Sequence, residues 1–74
     1  MTSVETRILI ALHERKVIHG TTNFASMLSV RKSLFLTYAM RLYRLGLIDI
    51  EMKPSGGRGI KTIYRDMGII RAQR

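Results

Sequence analysis

Polar side chains that could bind a polyanion lie on one face of a helix predicted over residues 32–45. At about 100° per residue, one arc of this helix carries two hydroxyls and two guanidinium groups: Ser33, Thr37, Arg41 and Arg44. Arginine pairs with the O6 and N7 atoms of guanine, and serine and threonine bind bases or phosphates. Arg31 and Lys32 come directly before the arc and extend it toward adjacent phosphates. We therefore expect this helix to enter the major groove of DNA.

A glycine-rich loop supplies a second group of cations. Residues 54–59 (PSGGRG) separate two segments with the alternating pattern of strands, so residues 47–65 form a predicted β-hairpin. Three basic residues lie at or beside its tip: Lys53, Arg58 and Lys61. We expect them to contact the minor groove or the phosphates, because glycines let the tip approach DNA closely; a solvated, flexible tip is the alternative. A nucleotide-binding P-loop is excluded, since Ile60 separates Gly59 from Lys61 and a strand follows.

The charge of the chain is strongly positive and unevenly distributed. Thirteen Lys and Arg residues against five Asp and Glu residues give a formal net charge of +8 over 74 residues. Residues 1–30 carry three basic and two acidic side chains, whereas residues 31–74 carry ten basic and three acidic ones. A basic half of this kind is typical of a protein whose partner is a polyanion.

Side chains suited to catalysis or metal binding are sparse. Cysteine is absent, so neither a disulfide nor a thiolate metal site is possible. His13 and His19 have the spacing of no metal motif, and the acidic residues are scattered. The tyrosines could stack on single-stranded bases, but packing is the preferred interpretation for each: Tyr38, Tyr43 and Tyr64. We expect no enzyme activity, no metal or cofactor, and no small-molecule effector.

The rest of the chain predicts the elements that position these side chains, within one small domain. A capping box of Thr2 and Glu5 starts a first helix over residues 3–16. The β-prone residues 17–19 predict an edge strand of one or two residues, and a second helix follows over residues 22–29. Three good N-cap residues stand at the start of this second helix: Thr21, Thr22 and Asn23. The apolar run at residues 8–12 is too short to span a membrane, so we expect a cytoplasmic protein.

The predicted helix over residues 32–45 also has a core face. Phe35, Ala39 and Leu42 fall together on the helical wheel, with Tyr38 and Leu45 beside them. Gly46 is placed to end the helix as a left-handed cap. Beyond it, a half-buried strand is predicted from alternating apolar residues: Ile48, Ile50 and Met52.

Two motifs resemble the winged helix-turn-helix superfamily. The segment Phe24-Ala25-x-x-Leu28-Ser29-Val30, with Phe35 five residues later, resembles the family pattern Leu-Ala-x-x-Leu-Gly-Val. It departs at Ser29, where glycine is usual, and at Arg31, where a Ser or Thr N-cap is usual. The segment Leu45-Gly46-Leu47-Ile48-Asp49 is similar to the Leu-x-x-x-Gly-Leu-Ile signature of winged-helix regulators.

This resemblance spans residues 5–66 and implies an α+β fold of three helices followed by a two-stranded β-hairpin, the wing. It implies a recognition helix over residues 32–45 and a wing over residues 47–65. In such proteins the segment that corresponds to residues 66–74, a basic tail here, often forms a helix that packs on the first helix or on a second subunit. The function implied is sequence-specific binding of double-stranded DNA by a small transcription regulator.

The apolar arc of the predicted recognition helix is wider than a small core requires. A homodimer could bury part of it, in keeping with regulators that bind paired half-sites, and the candidate subunit contacts are Ile10, Leu36, Met40 and Tyr43. Alternatively, Leu36 and Met40 touch thymine methyl groups at the groove edge. Two other functions stay open: an RNA- or ribosome-associated winged helix, and a winged helix used for protein assembly.

Overall fold

The computed structural model of the chain describes residues 2–54, 56–57 and 59–68. Three helices and three strands follow one another in this part of the chain: α1 (Ser3–Arg15), β1 (Val17–His19), α2 (Thr21–Met27), α3 (Lys32–Arg44), β2 (Ile48–Pro54) and β3 (Ile60–Asp66). The fold is therefore α+β, as predicted, and the element order is compatible with a winged helix. None of the helices formed by the described residues is long and apolar enough to cross a bilayer. The predicted tail over residues 66–74 lies outside the described residues from residue 69 onward.

The start of α1 is fixed by the predicted capping box. The Thr2 hydroxyl accepts a hydrogen bond from the backbone N–H of Glu5 at 3.2 Å, and the Glu5 carboxylate accepts one from the backbone N–H of Thr2 at 2.8 Å. Each side chain thus accepts a hydrogen bond from a backbone N–H that has no partner within the helix. The helix ends at Arg15, one residue before the predicted end, because Lys16 has a positive φ of 71°.

The α2 helix is shorter than predicted and begins differently. It spans Thr21–Met27 rather than residues 22–29, and its N-cap is Gly20, with no capping side chain. The predicted N-cap role of Thr21, Thr22 or Asn23 is therefore wrong, since the left-handed backbone of Gly20 (φ 90°) lets the chain turn directly from β1 into the helix.

The turn between α2 and α3 has the hydrogen bonds of a Schellman motif. The Ser29 N–H donates to the Ser26 carbonyl at 3.0 Å, and the Val30 N–H donates to the Ala25 carbonyl at 3.1 Å. Ser29 has a positive φ of 57°, a conformation in which a side chain is unfavourable. The family pattern has glycine at this position, and the backbone here has the conformation that glycine would adopt freely.

The α3 helix begins at Lys32 and ends in a second Schellman motif. Gly46 has a φ of 78°, and its N–H donates to the Tyr43 carbonyl at 3.0 Å. The Leu47 N–H donates to the Leu42 carbonyl, also at 3.0 Å. The predicted left-handed cap at Gly46 is confirmed, and it directs the chain from α3 into β2.

The sheet has three strands rather than the two predicted for the wing. Its order is β1-β3-β2, with both pairings antiparallel. β1 is a full three-residue strand, in which Val17 lies opposite Arg65 and His19 opposite Ile63. Backbone bonds extend this pairing at both ends, from Gly20 N–H to the Thr62 carbonyl and from Asp66 N–H to the Lys16 carbonyl. The third strand therefore arises because the α1–α2 connection pairs along the free edge of the hairpin.

The core lies between the three helices and one face of the sheet. Its centre is an aromatic cluster of Phe24, Phe35 and Tyr64, with ring centroids 4.8–5.5 Å apart. The predicted core face of α3 is confirmed, since Phe35, Ala39 and Leu42 are all fully buried. Two predictions of burial are wrong. Leu45 is 66% exposed in the C-cap of α3, and Met52 is 58% exposed because the end of the hairpin extends beyond the core.

Candidate nucleic-acid interface

The predicted polar arc of α3 lies on the surface of the domain. All of its members are exposed: Ser33, Thr37, Arg41 and Arg44. They lie on the side of the helix away from the buried Phe35, Ala39 and Leu42, and Lys32–Arg44 contains no acidic residue. The charged side chains that α3 itself carries are therefore all basic.

The two hydroxyls of the arc differ in their freedom to bind a ligand. The Thr37 hydroxyl donates to the Ser33 carbonyl at 3.1 Å, one turn earlier. Its proton is thus used within the helix, and the oxygen can still accept a hydrogen bond from a base. No hydrogen bond is recorded for the Ser33 hydroxyl within the described part of the chain, so it can donate or accept.

The two arginines of the arc also differ. Arg41 Nε lies 3.6 Å from Glu5 Oε2, and Glu5 is only 3% exposed. The pKa of Glu5 is lowered, first by the hydrogen bond from the Thr2 backbone and also by the charge of Arg41, while burial opposes the shift. Arg44 has no ion-pair partner within residues 2–54, 56–57 and 59–68. Arg41 is therefore held toward α1, whereas Arg44 is free to move.

An open groove lies between α2 and the start of α3. Hydroxyls, cations and apolar groups line it: Thr22, Ala25, Ser26, Ser29, Val30, Arg31 and Lys32. Arg31 is the N-cap of α3 but makes no side-chain capping bond, and the first turn of the helix has no acidic residue. The first N–H groups of a helix favour anions. The contribution of Ser26 and Ser29 was not predicted, although both lie within five residues of Arg31 in the sequence.

The hairpin brings Lys53 and Lys61 together. The two residues are directly opposite in the register of β2 and β3, and both side chains are exposed. Lys53 Nζ also lies 3.6 Å from Glu51 Oε2 on the same strand. Arg58, the third predicted cation of the wing, lies outside the described residues. Like charges opposite each other weaken a hairpin unless an anion lies between them.

The outer face of the sheet carries an ion-pair network that was not predicted. Arg65 Nη1 donates to Glu51 Oε1 at 2.7 Å and lies 3.7 Å from Asp49 Oδ2. The hydrogen bond from Arg65 lowers the pKa of Glu51, against the opposing effect of burial. Arg65 thus contacts both acids of β2, and no pattern in the sequence indicates that it would meet both.

Another cation with an internal role is Arg7. Its Nη2 atom donates to the Leu28 carbonyl at 2.6 Å, at the C-terminal end of α2. A guanidinium in this position satisfies an open carbonyl and interacts favourably with the negative end of the helix. Arg7 therefore joins α1 to α2.

The candidate subunit contacts are divided between α1 and α3. Leu36 and Met40 are half-buried, and Leu36 packs against the core. Tyr43 is 42% exposed on α3, and Ile10 is 47% exposed on the side of α1 opposite Ile8 and Leu12. Three of the four residues thus lie on α3, and Ile10 lies on α1.

Within the described ranges, no group of three or more His, Cys, Asp or Glu side chains could hold a metal ion. Tyr64 is buried, and its hydroxyl lies 2.7 Å from the Thr21 hydroxyl, which confirms that it packs in the core. Burial raises the pKa of Tyr64.

Comparison of the chain with protein-family models, with curated proteins and with solved structures finds no significant match.

Proposed function

We propose that this protein binds double-stranded DNA through α3 and the β2–β3 hairpin, as a small transcription regulator of the winged-helix type. In this proposal α3 enters the major groove, and the hairpin contacts the minor groove or the backbone. The protein acts in the cytoplasm, on the nucleoid.

The observation that carries the proposal is the division of the cations into two groups. Several already contact a backbone carbonyl or a carboxylate of the domain: Arg7, Lys16, Arg41, Lys53 and Arg65. Others have no acidic partner within the described part of the chain: Arg15, Arg31, Lys32, Arg44 and Lys61. Three of these unpaired cations lie on α3 or at its N-cap, and Lys61 lies on the hairpin. Unpaired positive charge concentrated on two elements is what a phosphate backbone would neutralise.

The positions of the acidic side chains also support DNA binding through α3 and the hairpin. Glu5, Asp49, Glu51 and Asp66 each lie within 4 Å of a basic side chain. The remaining acid, Glu14, is on α1 and thus on neither α3 nor the hairpin. Repulsion of phosphates by unpaired carboxylates is therefore small at the proposed surface.

The proposal is tested by removing single cations from inside and outside this surface. We expect Lys32→Ala and Arg44→Ala each to lower the slope of log K against log salt by about one unit, because each removes one phosphate or groove contact. Arg15→Ala is the matched control, since Arg15 is an exposed, unpaired cation in the last turn of α1. Equal effects of all three variants would mean that net charge, rather than α3, accounts for the binding.

A second function, protein assembly, is supported by apolar exposure on α3 and at its C-cap. Leu34 is 37% exposed, Tyr43 42% and Leu45 66%. These side chains could meet a second copy of the chain, which is the homodimer compatible with paired half-sites. Binding to structured RNA is the other alternative. Weak, salt-insensitive binding to every nucleic acid, together with a stable dimer in sedimentation, would favour assembly over DNA binding.

A further inference from the structure

Glu5 is the one charged residue that is buried in the described part of the chain. Its carboxylate accepts hydrogen bonds from the Thr2 backbone at 2.8 Å and from the Thr2 hydroxyl at 3.1 Å. The other oxygen, Oε2, faces Arg41 Nε at 3.6 Å. One carboxylate therefore both caps α1 and contacts the helix proposed to enter the major groove.

We propose that Glu5 is a positioning residue for DNA recognition, which holds Arg41 by its Nε end so that the Nη1 and Nη2 groups are presented in one direction. This inference rests on the proposed function and adds a residue to it. The Arg41 side chain is 58% exposed, the Glu5 side chain is 3% exposed, and Nε is the Arg41 atom that faces the carboxylate. Among the described residues, no other partner of Arg41 is recorded.

A tethered arginine and a free arginine recognise DNA differently. A free side chain can swing to the nearest phosphate, which carries no sequence information. A guanidinium held at one end loses less conformational freedom when it binds, and its direction favours one base edge. The carboxylate also offsets one unit of positive charge at the surface, which weakens the sequence-independent part of binding to every duplex. Glu5 therefore increases discrimination between sequences rather than affinity.

The competing interpretation is that Arg41 only neutralises a buried carboxylate and never touches DNA. The two interpretations differ in what the pair does to sequence preference. A structural pair changes the free energy of unfolding and leaves discrimination unchanged. A positioning pair changes the discrimination between DNA sequences, and replacing Glu5 then has no effect on that discrimination when Arg41 is absent.

A double-mutant cycle separates them, using Glu5→Gln, Arg41→Ala and the combination. Glutamine keeps the capping-box acceptor, so α1 is retained. Glu14→Gln removes an exposed acid from the same helix and is the charge-matched control. The probes are a duplex selected by the wild-type protein from a random pool and a scrambled duplex of equal length. The measured quantity is the ratio of the two affinities at one salt concentration.

We expect Glu5→Gln to lower this ratio roughly fivefold or more, within the range of one lost base contact. It should do so mainly by strengthening binding to the scrambled duplex, and it should have no further effect in the Arg41→Ala background. Glu14→Gln should leave the ratio unchanged. In the free protein, Glu5→Gln should also shift the Nε–Hε resonance of Arg41, whereas Glu14→Gln should not.

An unchanged ratio for Glu5→Gln, or an equal effect with and without Arg41, overturns the positioning role. If Arg44→Ala still weakens duplex binding in that case, the proposed function stands alone. If the wild-type protein selects no duplex and shows no salt-sensitive binding, both the function and the positioning role are overturned.

Discussion

Lys53 on β2 and Lys61 on β3 lie directly opposite each other in the antiparallel ladder of the hairpin. Two ammonium groups in this position repel each other, and Glu51 lies within reach of Lys53 only. An isolated domain gains nothing from the arrangement, whereas a phosphate lying between the two side chains would be bound by both.

Lys61→Thr tests this arrangement, since threonine suits an exposed strand position. We expect the free energy of unfolding to rise by about 0.2–1 kcal/mol as the repulsion is relieved. The slope of log K against log salt for duplex DNA should fall by about one unit. Urea titrations and binding titrations on the same preparation measure the two effects. A loss of stability with unchanged DNA binding would remove Lys61 from the interface.

Arg7→Met tests whether the paired cations are structural. Methionine keeps much of the apolar stem but loses the bond to the Leu28 carbonyl, so we expect a loss of about 1.5–3 kcal/mol in stability. Under conditions where the variant is folded, its salt slope for DNA should equal that of the wild type. A reduced slope would place Arg7 among the phosphate contacts and contradict the division of the cations.

Ser29→Gly should stabilise the domain, because Ser29 has a positive φ of 57° in the turn between α2 and α3. Glycine removes a steric cost of about 1 kcal/mol, but it also makes the unfolded chain more flexible, which offsets part of the gain in stability. We expect a gain of about 0.5 kcal/mol and a rise of about 2–4 °C in Tm. Ser29→Ala is the control and should give no gain. A lower Tm for the glycine variant would contradict the left-handed assignment.

Acid should weaken the fold through Glu5. Its pKa in the folded protein is lowered from the ordinary value of 4.5, chiefly by the Thr2 backbone hydrogen bond. As the pH falls, the carboxyl of Glu5 is therefore protonated in the unfolded chain before it is protonated in the folded protein. The stabilisation from the Glu5 carboxylate is complete above pH 4.5 and is lost as the pH falls through the lowered pKa of the folded state.

Glu5→Gln is the comparison that isolates this carboxylate. The difference in free energy of unfolding between wild type and variant should be largest at neutral pH and shrink as the pH falls below about 4.5. Glu51 titrates in both proteins, so its effect cancels. A difference that stays constant between pH 7 and pH 3 would show that Glu5 is not stabilised by its charge.

Much of the local structure could be predicted because its causes are local. The capping box of Thr2 and Glu5, the buried face of α3 and the left-handed cap at Gly46 each depend on residues within one or two turns. The α2 boundaries were harder, since the left-handed backbone of Gly20 replaced a capping side chain.

Contacts between distant segments could not be predicted in the same way. Pairing of Val17–His19 with β3 joins residues more than forty positions apart, and three alternating residues give too weak a signal to fix a register. The approach of Arg41 to Glu5 depends on how α1 and α3 cross. The exposure of Leu45 and Met52 depends on where the core ends. Helical periodicity predicted the polar arc of α3. It could not predict which cations of the arc have an acidic partner in the folded domain.

Binding of the purified wild-type protein to random duplex DNA, single-stranded DNA and structured RNA, each at two salt concentrations, tests the central claim most directly. We predict a preference for duplex DNA, with log K falling by about 0.9 for each phosphate neutralised per unit of log salt. Weak binding to all three probes, or a preference for RNA at both salt concentrations, would contradict the proposed function.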